Sequence, residues 1–148
     1  MASITKSSPT YVAADTASAT VYVSTRDPDS EEDDVFSVSA FRWDGAALVA
    51  EGVVEAAGGS GMSRPLAVVP PAPGQCTSYL VVGILGFANL RVLSLPDRRL
   101  VHTLKLEGMQ VAGLAADPSG TALAVCEFTS KAIHVLPWPL PGMPLPLQ

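Results

Sequence analysis

Fourteen residues near the start of the chain return, without a gap, near its end. Val12-Ala13-Ala14-Asp15 lies over Leu114-Ala115-Ala116-Asp117, and Val21-Tyr22-Val23 lies over Leu123-Ala124-Val125, at an offset of 102 positions. Shared features are a small apolar strand, an Asp at its end and a β-rich run after the turn. What differs is the chemistry. Ser24 stands where Cys126 does, Ala17 where Ser119 does and Thr25 where Glu127 does. A repeated supersecondary unit buries its apolar surface by stacking on its neighbours, so the offset implies a stack of like units. Two copies of a unit of about fifty residues fill that interval, which predicts a middle copy near residue 63. "SRPLAVVPPAPGQCTSYLVVG" supplies it, with Leu66-Ala67-Val68-Val69 as first strand and Tyr79-Leu80-Val81-Val82 as second. Pro70, Pro71, Pro73 and Gly74 lengthen the turn between them and account for the uneven spacing.

The same order of short strands reads through each unit. First come "YVAAD", "LAVV" and "GLAAD", each ending in a turn rich in Asp, Pro, Ser or Gly; then "TVYVS", "SYLVV" and "ALAVC". Third strands are "VFSVSAFRW", "NLRVLSLP" and "AIHVLPW". Phe36, Val38 and Ala40 alternate with Ser37 and Ser39, the period of a strand with one wetter face. A fourth strand is "ALVAEGVVEA" in the first unit and "RLVHTLKLEG" in the second, where Leu100, His102, Leu104 and Leu106 are expected to share a face. The third unit has no fourth strand. It runs instead into "PWPLPGMPLPLQ", whose prolines cannot donate to a central ladder.

Composition narrows the class. The 148 residues are 48% hydrophobic and 16% charged, which fits a globular core and excludes a disordered or coiled-coil chain. Apolar runs of four to seven residues fall far short of the eighteen or more that cross a bilayer, and "MASITKSSPT" has no apolar segment behind its lysine. A soluble cytoplasmic protein, with no membrane partner, is expected. A net charge of −5 with scattered Lys and Arg repels phosphate backbones, so nucleic acid is not an expected partner. Cys76 and Cys126 lie outside any CxxC spacing beside predicted strands and are expected to be buried and reduced.

Four short antiparallel strands per unit of about fifty residues make the blade of a β-propeller. The last unit, "GLAADPSGTALAVCEFTSKAIHVL", resembles an NHL-type propeller repeat in its Gly-apolar-Ala opening, Asp-Pro-Ser-Gly turn and Ile-x-Val strand. "ATVYVST" in the first unit resembles the YVTN-type repeat. WD40-like features are partial: Trp43-Asp44 ends a third strand, and Gly108-Met109 stands where that family often has Gly-His, but no unit carries both. These resemblances imply an all-β fold of three four-stranded antiparallel propeller blades, a partial or split propeller, the last blade lacking its fourth strand. Blades are expected at about 10–58, 63–108 and 109–138, followed by a Pro-rich tail at 137–148. An eleven-stranded sandwich is the alternative, but it does not require matching sequence two units apart. Closed propellers use four or more blades, so three leave edges and apolar faces to be covered. The cover would come from a homodimer of six blades, a partner chain or further blades of a longer product, with "ASITKSS" a candidate to complete the last blade.

No catalytic, cofactor-binding or metal-binding set stands out. "RDPDSEEDD" gathers Asp27, Asp29, Glu31, Glu32, Asp33 and Asp34 but lacks the Gly of an EF-hand loop, so a solvated hairpin tip is expected. His102 and His134 lack an ordered third ligand and read as structural. Ser119 has no Gly-x-Ser-x-Gly elbow, and Asp15 and Asp117 read as turn residues that bond the following amides. Pro141 and Pro144 have the spacing of a polyproline II ligand, with Trp138 and Met143 beside them; no Arg or Lys flanks them, so the tail is expected to lie along its own blades. The expected role is a noncatalytic interaction or scaffold module whose partners are proteins or further copies of itself. A lyase or lactonase half-site is the competing class that the resemblance implies, and an inactive fragment of a longer propeller protein is the third reading. The first strands that would line the channel read Val-Ala-Ala, Leu-Ala-Val and Leu-Ala-Ala, which is small and inert.

Overall fold

Two strand patterns in the sequence, strict alternation and unbroken apolar runs, sort into different places in the fold. The computed structural model describes residues 8–26, 36–54, 64–84 and 88–144; the acidic run 27–34 and the segment "ASITKSS", save Ser8, lie outside them. Strands β1 (Ser8–Asp15), β2 (Thr20–Arg26), β3 (Phe36–Trp43) and β4 (Leu48–Val53) form sheet 1 in that order. Strands β5 (Leu66–Val69), β6 (Tyr79–Ile84), β7 (Asn89–Ser94) and β8 (Arg99–Lys105) form sheet 2. Sheet 3 has three strands in the order β11 (Ile133–Pro137), β10 (Ala122–Glu127), β9 (Val111–Ala116). All neighbours are antiparallel, and the described residues contain no helix long and apolar enough to cross a membrane. This is the all-β fold of three blade-like sheets, the last lacking its fourth strand.

The sheets stack through their first strands. β5 lies against β1 on one side and β9 on the other. The Tyr11 hydroxyl reaches past β5 and donates to the Ala112 carbonyl at 2.8 Å, linking sheets 1 and 3 where the first strands converge. Sheet 2 is therefore covered on both faces, which is why β6 can be a continuous apolar run buried along its whole length. β3 alternates because only the Val38 and Ala40 side faces another sheet.

Two cores result. Between sheets 1 and 2, Tyr22, Val38, Ala40 and Val54 meet Leu66, Leu80, Val82, Leu93 and Leu95. Between sheets 2 and 3, Ala67, Val69, Tyr79, Val81, Leu90 and Val92 meet Val111, Leu123 and Val125. Each Val or Leu buried this way contributes roughly 1.5–3 kcal/mol, before the cost of ordering the chain. Gly83 is required at the second interface, since a Cβ there would sit 2.8 Å from Val111 Cγ1.

One strand reading is corrected. Leu100 pairs with Leu93 and His102 with Val92, so Val101 is the extra residue of a β-bulge. The bulge turns Leu100 to the opposite face from His102 and Leu104. Val101 and Leu104 pack on the core between sheets 2 and 3, while Leu100 stays exposed.

Candidate functional site

The turn residues are locally satisfied. Asp15 accepts the Ala17 amide at 3.3 Å and the Ser18 hydroxyl at 2.6 Å. At the equivalent turn of sheet 3, Asp117 accepts the hydroxyls of Ser119 and, at 2.9 Å, Thr121. Those two hydroxyls hold the Asp117 carboxyl below the usual carboxylate range. Ser119 is thus engaged as a turn donor to a carboxylate. Asp44 bonds the amides of Ala46 and Ala47, each at 2.9 Å, which lowers its pKa; it serves its own hairpin, and Trp43 beside it is exposed.

His102 is 3.1 Å from the Pro141 carbonyl through Nε2. His134 pairs in register with Val125 in sheet 3, on a different element, and the two histidines are not brought together. Among the described residues no group of three or more His, Cys, Asp or Glu side chains converges. The cysteines correct an expectation: both are free, but both are exposed. Cys76 falls in the long β5–β6 turn, and Cys126 falls on the side of β10 that faces away from sheet 2.

Three polar groups were not singled out by the sequence. Glu127 accepts the amides of Gln110 at 3.1 Å, Thr129 at 2.8 Å and Ser130. These bonds, that from Ser130 first, hold its carboxyl down to about 2 and tie the β10–β11 turn to the approach of β9. Arg98, in the β7–β8 turn, donates to Glu51 of β4, which also accepts Arg42 Nε at 3.2 Å. Its guanidinium lies 5.8 Å from the centroid of the Tyr22 ring. Burial raises the Tyr22 pKa, with Arg98 partly offsetting it. Burial also works against the Arg98 charge, but Tyr22 and Glu51 outweigh it and the Arg98 pKa is raised. The cluster bolts sheet 2 to sheet 1 at the outer strands. Arg64 is fully buried just before β5, and desolvation lowers its pKa.

Two clefts open between the sheets. One, of about 320 Å³, lies where the first strands end and is bordered by Asp15, Thr16, Val68, Pro70, Ser78 and Pro118. The other, of about 160 Å³, is lined by Pro70, Gln75, Tyr79, Trp138, Pro139 and Met143. The tail forms a wall of the second. Trp138 meets the Tyr79 ring in a tilted contact, 5.5 Å between centroids, and Leu140 and Met143 enter the core between sheets 2 and 3. Through residue 144, then, the tail lies along the blades it follows.

The largest departure from a closed surface is on the terminal sheets. Strand pairing sets the equivalences: Ser24 pairs with Val38, Gly83 with Leu90 and Cys126 with Ile133. Next along, Tyr22 pairs with Ala40, Val81 with Val92 and Ala124 with Val135. At the first position Val38 and Leu90 are 0% exposed, but Ile133 is 69% exposed. At the second Ala40 and Val92 are 0% exposed, but Val135 is 70% exposed. On the opposite side of the stack, Val12 and Leu66 are equivalent through their pairing with Val23 and Val82. Leu66 is 5% exposed and Val12 68%. Trp43 and Val53 share that open side of sheet 1 with Val12. Ile133 and Val135 at one end of the stack and Val12 at the other thus meet solvent at positions that form cores elsewhere, whereas Val23, equivalent to Val82, is buried. The 102-residue offset does not locate the open positions, because it carries Ile133 and Val135 onto Glu31 and Asp33 of the acidic run; the pairing of β10 with β11 does.

No protein-family model matches the chain, and no curated protein matches it. Among solved structures, a protein from Lactobacillus plantarum is similar over 87% of this chain, at 15% identity and a TM-score of 0.35. This chain spans 55% of the length of that protein.

Proposed function

We propose that the chain is a noncatalytic interaction module, a propeller segment whose working surfaces are the outer faces of sheets 1 and 3, and that proteins continuing the stack are its partners. The observation that carries this reading is the inequality at equivalent positions: Ile133 and Val135 are open where Val38, Ala40, Leu90 and Val92 are closed. A contiguous apolar sheet face with this pattern marks an interaction surface. The NHL- and YVTN-like character of the repeats supports the same reading, since such units specify stacking. On the chemical side, the turn carboxylates Asp15 and Asp117 are bonded within their own turns.

An apolar reporter dye tests it. The dilute chain is expected to bind the dye. Ile133→Lys with Val135→Lys should remove about half of that binding or more, while the unfolding midpoint stays within the small range of surface substitutions, about 0.5 kcal/mol. Leu90→Lys, at the equivalent position of sheet 2, should unfold the chain. Dye binding unchanged by the double substitution, or unfolding by it, overturns the reading.

A further inference from the structure

The geometry points to a second copy of this chain as the occupant of the open faces: the outer face of sheet 3 docks on the outer face of sheet 1 of the other copy, and the reciprocal contact closes a ring of six sheets. This rests on the reading of the terminal faces as docking surfaces. The chain already makes this type of contact twice. In the first, Tyr22, Val38 and Ala40 of sheet 1 receive Leu66, Leu80 and Val82 of sheet 2. In the second, Ala67, Val81, Leu90 and Val92 of sheet 2 receive Leu114, Leu123 and Val125 of sheet 3. By register, sheet 3 repeats the receiving side with Ala115, Ala124, Ile133 and Val135. Sheet 1 repeats the inserted side with Val12, Val21 and Val23, of which Val12 is open, Val21 half-buried and Val23 buried, and Trp43 and Val53 extend its exposed part. One molecule therefore carries an open receiving side on sheet 3 and a partly open inserted side on sheet 1, and the two sides are of the same chemistry as the pair packed inside it.

Stoichiometry follows from blade count. Closed propellers typically hold four to eight blades. With three sheets per chain, two copies fall in that range and three do not. The two contacts are heterologous, each joining unlike faces, and a two-fold axis makes them equivalent.

Cys126 is a built-in reporter. It lies on the outer face of sheet 3 beside Ile133, whereas Cys76 sits in a turn of the middle sheet away from both terminal faces. Sedimentation velocity from about 0.1 to 100 µM, a range that spans ordinary association constants, is combined with thiol labelling of both cysteines. The expected result is a shift from one to two chains, with Cys126 labelling falling at least about tenfold in step and Cys76 labelling unchanged. Val12→Lys alone, and Ile133→Lys with Val135→Lys alone, should each weaken association roughly thirtyfold or more, as centrally placed contacts do. Mixing those two variants should restore a two-chain species, because the mixture still contains one intact face of each kind.

A mixture that stays monomeric, or a dimer whose Cys126 remains reactive, overturns the inference. A wild-type chain that is monomeric throughout with Cys126 freely labelled also overturns it, while leaving the faces available to a different protein. Monomers with Cys126 protected at every concentration overturn both this inference and the docking reading, since the chain would then cover its own face.

Discussion

At Gly120 the repeat turn and the stacking of sheets 2 and 3 meet in one backbone position. Its φ of +70° is a conformation that L side chains rarely adopt, and a Cβ there would collide with the Pro70 carbonyl and approach Ala72 N to 2.9 Å. Gly120→Ala is therefore expected to destabilise the chain by about 2–4 kcal/mol, strain and overpacking combined, read as a lowered denaturation midpoint. Glu127 sets a residue-scale dependence on pH. Its carboxyl falls from an ordinary 4.5 to about 2 in the fold because the Ser130, Gln110 and Thr129 donors favour the charged form. A depressed folded pKa stabilises fully above about 4.5, and that contribution is lost as pH falls toward about 2. Urea titrations between pH 6 and pH 2.5 should show Glu127→Gln flattening the acid limb of the stability curve. A curve of unchanged steepness would remove Glu127 from that role.

Among the elements, the C-terminal tail behaves as part of the core. Leu140 is buried among the side chains joining sheets 2 and 3, and His102 meets the Pro141 carbonyl. Leu140→Ala should cost about 2–5 kcal/mol in chemical denaturation, the range of buried Leu truncations. Pro141→Ala, at an exposed residue, should stay within about 0.5 kcal/mol. Equal effects of the two would mean that the tail does not pack as described. Arg98 is the corresponding device between sheets 1 and 2. Its ion pair with Glu51 is partly exposed and so screened, and Arg98→Ala is expected to cost about 1 kcal/mol, with the loss shrinking at high salt.

For the molecule as a whole, burial is incomplete in a patterned way. Sheet 2 is enclosed on both faces, while Ile133 and Val135 on the outer side of sheet 3 and Val12 on that of sheet 1 meet water instead of a neighbour. If a second copy covers them, stability is linked to concentration, because a partner that binds only the folded chain raises its apparent stability. Thermal scans over a hundredfold concentration range should then show the midpoint rising with concentration for the wild-type chain. The Ile133→Lys, Val135→Lys variant should show no such rise.

The 102-residue offset, with its middle copy, was enough to determine an all-β chain of three like sheets, their strand order and the loss of the last strand. Periodicity is a local property, and hairpin pairing follows from it. Which side of each strand meets a neighbour was decided by tertiary stacking. Cys126 shows why: at its repeat position Ser24 is buried against sheet 2, yet Cys126 is exposed because none of the described sheets packs on that side of sheet 3. Leu100 shows it again, since a single bulged residue reverses a face that alternation alone would assign. The Glu127 donors and the Arg98–Glu51–Tyr22 cluster join residues from separate strands and turns, and no local pattern encodes such meetings. The repeat specified what each sheet is; only the stacking of the three described sheets decided which apolar positions are covered.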